Sequence, residues 1–165
     1  MFDGRRVELI DGELLEMAPM KDPHAQAVRL ATYALLQVFR PDQATVSVQC
    51  PMRLGESRPL PDLVILNGTP RQIITHPTTG LLVIEISDST LEYDQTDNAA
   101  LYAANMIPEY WIINLNAQCV DVRRSPFRAK GAAPQDEDLR VYDFQAAIAP
   151  LAASHASIKV SDLLP

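Results

Sequence analysis

The sequence predicts an α/β fold, a mixed β-sheet flanked by helices, and three observations carry that expectation. Residues 81–87 put Leu82, Ile84 and Ile86 on one face and Leu81, Val83, Glu85 and Ser87 on the other, the pattern of a strand inside a sheet. Residues 59–68 form a second short apolar strand, opened by prolines and closed by Asn67-Gly68. Residues 24–40 instead repeat their apolar side chains at helical spacing. A chain of 165 residues predicts a single domain over 1–165, long enough to bury a sizeable core.

In chain order, residues 6–17 read as an N-terminal β-hairpin turned at Asp11-Gly12, with Glu8 and Glu13 flanking the turn. Glu8 is either a solvated hairpin charge or part of the rim of a site. The first long helix starts with Asp22 as N-cap and Pro23 at the first helical position, and runs to about Arg40, where Pro41 stops it. Val28, Ala31, Leu35 and Phe39 make its apolar stripe, and His24 stands one turn earlier on the same stripe. The positive pole of the helix discourages a cationic His there. His24 is a hydrogen-bonded residue at the edge of the core, or a site residue.

A strand over residues 45–50 continues to Leu54, and residues 68–80 connect it onward with room for one helical turn. Residues 87–90 are polar turn chemistry leading to a second helix from Tyr93 or Asp94 to Asn105. On it Asp94, Asn98 and Tyr102 share one face at four-residue spacing, while Ala99, Ala100, Ala103 and Ala104 permit close approach to the sheet. Residues 110–115 form a third core strand with Trp111 inside. Residues 119–124 alternate like an edge strand, 127–138 read as a polar loop, 139–144 as a last strand and 158–164 as a packed tail.

Two acids stand out. Glu85 lies within an apolar strand, and an unpaired buried charge there costs several kcal/mol or shifts its pKa. Asp62 opens the strand before it. Paired strands lie about 4.8 Å apart, so these two carboxylates can meet; one then takes a proton, or both share a cation. Oxygen donors with open positions suit Mg²⁺ or Mn²⁺.

Pro61-Asp62 followed by Glu85 on the next strand resembles the PD-(D/E)XK nuclease signature. The ordered set Glu8 to Leu14, Pro61-Asp62, Glu85 to Leu91, Tyr93-Asp94, Leu101-Tyr102-Ala103 and Ile107 to Trp111 resembles the Uma-type family of restriction-endonuclease-like proteins, over about residues 7–124. The resemblance implies a restriction-endonuclease-like core, a metal-dependent DNA endonuclease and a homodimer. It implies metal ligation by Asp62, Glu85 and the carbonyl of Ile86, with His24, Glu8, Ser87 and Asp94 as accessory residues. The nuclease signature has Lys two residues after the Glu, where this chain has Ser87; the Uma-type pattern carries it on the following helix, where this chain has Asn98. Asn98 cannot supply the positive charge, and one lost charge-stabilising donor typically slows reaction ~10²–10³-fold. Two functions therefore stay open: an endonuclease impaired at Asn98, or a catalytically degenerate DNA-binding or assembly module. Asn105-Met106 replaces the family's Gly before Ile107, and Asn105 is expected to take the left-handed cap.

At 47% hydrophobic and 21% charged residues the composition is ordinary for a globular domain. No apolar run approaches the ~18 residues of a membrane span. Cys50 and Cys119 read as buried free thiols, which fits a cytoplasmic location. A net charge of −7 excludes a general nucleic-acid coat. A DNA enzyme of this charge needs a local basic patch, and Arg123, Arg124, Arg128 and Lys130 are the densest candidate, although such a cluster is more often a solvated loop than a DNA footprint. A glycosidase would also use two carboxylates, but no aromatic platform lines a sugar cleft.

Overall fold

The computed structural model describes residues 7–10, 12–16, 21–127 and 133–165. Arg6, Asp11 and Met17 of the expected hairpin, and Arg128 and Lys130 of the expected basic patch, lie outside the described residues. The hairpin itself is present: β1 (Val7–Ile10) pairs antiparallel with β2 (Glu13–Glu16), and Gly12 between them has φ +88°, open to glycine at no steric cost.

The centre of the molecule is a six-stranded mixed sheet in the order β3-β4-β5-β6-β7-β8. Its members are β3 (Ala44–Val48), β4 (Leu63–Asn67), β5 (Leu82–Ser87), β6 (Glu109–Asn114), β7 (Cys119–Phe127) and β8 (Gln135–Tyr142). Within it β5 and β6 run parallel, while the other neighbours are antiparallel. A parallel pair needs a crossover, and the helical segment between these two strands supplies it.

The period-two pattern decides what each face carries. On one face Leu63, Ile65, Leu82, Ile84, Ile86, Trp111 and Ile113 pack beneath helix α1 (Asp22–Val38), through Ala27, Val28, Ala31 and Leu35. The C-terminal segment seals the same core with Ile148, Ile158, Val160, Leu163 and Leu164, as expected of a packed tail. On the other face Val64, Leu66, Val83, Tyr110 and Ile112 pack against Ala99 and Tyr102 of the crossover helix. Helices thus cover both faces of one sheet.

Several expectations change. Lys21, not Asp22, is the N-cap of α1, no side chain caps it, and the helix ends at Val38 rather than Arg40. The crossover is not one α-helix: a turn α2 (Leu91–Tyr93) leads into a π-turn (Asp94–Asn98) and then α3 (Ala99–Ala104). Met106 takes the left-handed conformation (φ 56°), not Asn105. The strand expected to reach Leu54 stops at Val48, where Gln49 turns the chain with φ 48°. β7 is not an edge strand, because β8 begins at Gln135, inside the expected loop, and covers it. Trp111, Val120 and Val122 are buried within the chain itself, so the apolar surface that motivated a dimer on β6 and β7 is already covered. Cys50 and Cys119 are free thiols as expected, but Cys50 is exposed and Cys119 half-buried. Among the described residues no helix is long and apolar enough to cross a membrane.

Candidate active site

β4 and β5 are hydrogen-bonded neighbours with Leu63 opposite Ile84, so Asp62, just before β4, falls beside Glu85 and Ile86. The two acids hold each other through the backbone. Asp62 N donates to Glu85 Oε2 at 3.2 Å, and Ile86 N donates to Asp62 Oδ2 at 2.9 Å. Ile86 N–H leaves the strand toward Asp62, and a strand residue's C=O leaves on the same side, so the Ile86 carbonyl also turns to this side.

Three further donors meet the pair. His24 Nε2 lies 2.9 Å from Asp62 Oδ1, which assigns that nitrogen the hydrogen. Gln49 Nε2 donates to the same oxygen at 3.3 Å, and Tyr102 OH donates to Glu85 Oε1 at 2.7 Å. The position of His24 follows from the helix: it stands in the first turn on the stripe that buries Val28 and Ala31, and from there its ring reaches Asp62.

Glu85 is 8% exposed, and its carboxyl is pushed well above the ordinary range, first by burial and then by the charges of Asp62 and Asp94. Asp94 is buried on the crossover and raised for the same first reason, although Thr90 Oγ1 (2.7 Å) and Asn98 Nδ2 (2.9 Å) both donate to it and oppose the shift. Tyr110 OH donates to the Asp94 carbonyl at 3.1 Å, fixing the π-turn to β6. Glu8 accepts from Leu60 N at 2.6 Å, two residues before Asp62, and its charge contributes to the upward shifts of Glu85 and Tyr93. Burial, then the carboxylates led by Glu8, hold the Tyr93 hydroxyl up at about 12.

All the expected site residues thus gather at one end of the sheet. Asp62, Glu85, Ile86 and His24 are linked directly; Asp94 and Asn98 are linked to one another; Ser87 stands two residues past Glu85 on the same face; Glu8 reaches the segment leading into Asp62. Two hydrogen-bond donors to the acids were not foreseen. Gln49 was hidden because only the β3–β4 register puts it opposite Asp62. Tyr102 could have been found, since it shares a helix face with Asp94 and Asn98.

Of the expected basic patch, Arg124 is engaged elsewhere: its Nε and Nη2 donate to Glu109 Oε1 at 2.9 and 2.7 Å. At the rim Lys21 Nζ pairs with Asp88 Oδ2 at 2.9 Å, next to Ser87. Neither Lys nor Arg pairs with Asp62, Glu85 or Asp94 among the described residues.

The donor set fits a hard divalent ion. It consists of carboxylate and carbonyl oxygens, and each Glu85 oxygen accepts one protein hydrogen bond, leaving lone pairs for a cation. Among the described residues no three His, Cys, Asp or Glu side chains form a ready-made metal cage.

A family model, Uma2, described as "Putative restriction endonuclease", matches residues 1–152. A solved protein described as a "putative nuclease belonging to DUF820", from Anabaena variabilis ATCC 29413, has the same fold. The two share a TM-score of 0.75 and 18% identity, over 95% of this chain and 88% of that one. No curated protein matches the chain. The six-stranded mixed sheet with helices on both faces is the restriction-endonuclease-like fold, and the chain belongs to the Uma2 family.

Proposed function

We propose that this protein is a metal-dependent DNA endonuclease whose single domain carries one phosphodiester-hydrolysing site. The observation that supports it most is the mutual hold of Asp62 and Glu85, two buried acids on adjacent strands that meet no Lys or Arg among the described residues. Asp62, Glu85 and the Ile86 carbonyl would hold Mg²⁺ or Mn²⁺. A divalent ion at that place acidifies a water and offsets charge on the scissile phosphate.

The remaining work falls to the chain's own groups. His24 and Gln49 fix Asp62, and Tyr102 fixes Glu85, so both carboxylates are oriented before substrate arrives. Asn98 positions Asp94 but brings no charge to the developing phosphorane, so turnover is slow. Lys21 at the rim is placed to meet a DNA phosphate by exchanging its Asp88 partner. A homodimer and a cytoplasmic location accompany this reading, the first on the family resemblance and the second on the free thiols.

A second reading is a degenerate relative that binds DNA or assembles without cutting it, and Asn98 is the observation that favours it. Nicking of supercoiled plasmid with Mg²⁺ or Mn²⁺ separates them. The endonuclease reading expects slow nicking that stops in EDTA and in Glu85→Gln. Nicking that survives Glu85→Gln overturns the proposed site, and no cleavage of any DNA form by wild type leaves the binding module.

A further inference from the structure

Beside the acid pair lies a second group of oxygens that the proposed hydrolysis does not use. Asn98 is 4% exposed, and its Nδ2 donates to Asp94 Oδ1 at 2.9 Å. That bond fixes the amide orientation, because the flipped amide would set its oxygen against a carboxylate. Asn98 Oδ1 is then a buried acceptor with no hydrogen-bond partner in the protein. Ser87, 0% exposed, is the second such group. Its Oγ stands close enough to Asp94 to help hold that carboxyl down, yet outside formed hydrogen-bond geometry. Leaving a buried polar atom unpaired typically costs ~1–3 kcal/mol, and both of these belong to residues beside Asp94.

The charge around them decides what suits the place. Asp94 and Glu85 accept hydrogen bonds only from neutral donors among the described residues: Thr90, Asn98, Tyr102 and the Asp62 amide. A water would satisfy the two oxygens and leave the repulsion untouched. A cation would satisfy both and the charge as well. The amide carbonyl and hydroxyl are neutral, hard and few, which suits a weakly hydrated monovalent ion better than a second divalent one.

We infer that Asn98 Oδ1, Ser87 Oγ and the Asp94 carboxylate form a seat for a monovalent cation of potassium or ammonium size, distinct from the Asp62–Glu85 pair. The ion stands between Asp94 and Glu85 and lends the site a positive charge that no Lys or Arg side chain brings to these acids among the described residues. The seat does not depend on DNA hydrolysis.

The test is the melting temperature in EDTA, with potassium, sodium, ammonium or tetramethylammonium chloride at matched ionic strength. Wild type should rise saturably in potassium or ammonium over tetramethylammonium, by about 3–6 °C at tenfold excess over the dissociation constant. Asn98→Lys, which tethers an ammonium group there, should lose the response. Asp62→Ala should keep it, so failure of the divalent site and failure of this one are separable. Equal melting of wild type in all four salts overturns the inference. So does an undiminished response in Asn98→Lys, or its loss in Asp62→Ala, which would move the ion to the divalent pair. Should Asn98→Lys not fold, crystals of wild type grown with thallium(I) give the answer directly: an anomalous peak against Asn98 Oδ1 is expected, and its absence overturns the seat.

Discussion

Glu85 and Glu109 are buried glutamates on neighbouring strands of one sheet, and the chain treats them in opposite ways. Glu109, 0% exposed, is neutralised: Arg124 donates twice to its Oε1, Trp111 Nε1 donates at 2.9 Å, and Leu151 N donates to Oε2 at 2.7 Å. Arg124 also donates to the Ala149 carbonyl at 2.7 Å, so the pair ties the C-terminal segment to the sheet. Among the described residues Glu85 meets only a tyrosine hydroxyl and a backbone amide, with Asp62 and Asp94 nearby to raise its pKa. One acid has both oxygens engaged, one of them by a guanidinium. The other is oriented but given no cationic partner among the described residues, a local destabilisation of the kind that collects at functional sites.

The largest expected effect breaks the first half of the comparison. Arg124→Ala leaves a buried carboxylate uncompensated and should lower stability by ~3–5 kcal/mol in urea denaturation; a loss under 1 kcal/mol would mean that Glu109 is not held by charge. Next, in tetramethylammonium buffer, where the monovalent-cation seat is empty, Asn98→Lys should accelerate plasmid nicking ~10–10³-fold, the scale of one well-placed cationic donor, and only with divalent metal and Glu85 present. Rates equal to wild type would show that Asn98 is no lesion.

The pH dependence sharpens the contrast. The folded-state pKa of Glu85 lies above its unfolded value, so its contribution is fully present below the unfolded value and is lost as pH rises through the folded one. In EDTA, wild type should therefore lose stability relative to Glu85→Gln as pH rises above the ordinary carboxylate range, and the variant should become the more stable at alkaline pH. Parallel pH profiles would mean that Glu85 is as well compensated as Glu109. The smallest effect lies away from both acids. Met106 holds φ 56°, which costs a non-glycine residue roughly 1–2 kcal/mol. Met106→Gly should recover part of that, about 1 kcal/mol, with cleavage unchanged.

Much of this was legible in the residues. Period-two patterning in residues 81–87 put Glu85 and Ser87 on the face opposite Leu82, Ile84 and Ile86, and that division separates the two cores. The Asp62–Glu85 pairing followed from two short strands close in sequence. Glu109 was not distinguishable from Glu85 on pattern, because its partner Arg124 comes from the antiparallel register of β6 and β7, a long-range fact. For the same reason the sequence offers Arg124 as no more than a candidate for a DNA patch. The π-turn at Asp94–Asn98 has no local signal; one extra residue per turn is a tertiary adjustment, here pinned by Tyr110. β8 was misplaced because Gln135 to Asp138 is polar, and only pairing with β7 makes it a strand.

The proposed function stands or falls on whether Asp62 and Glu85 hold a divalent ion. Calorimetric titration of wild type with Mn²⁺ after EDTA and dialysis tests it most directly, beside Asp62→Ala and Glu85→Gln and with Arg124→Ala as a control for stability. Saturable uptake by wild type is expected, lost in both acid variants and kept in any Arg124→Ala that remains folded. Uptake unchanged in Asp62→Ala and Glu85→Gln would contradict it.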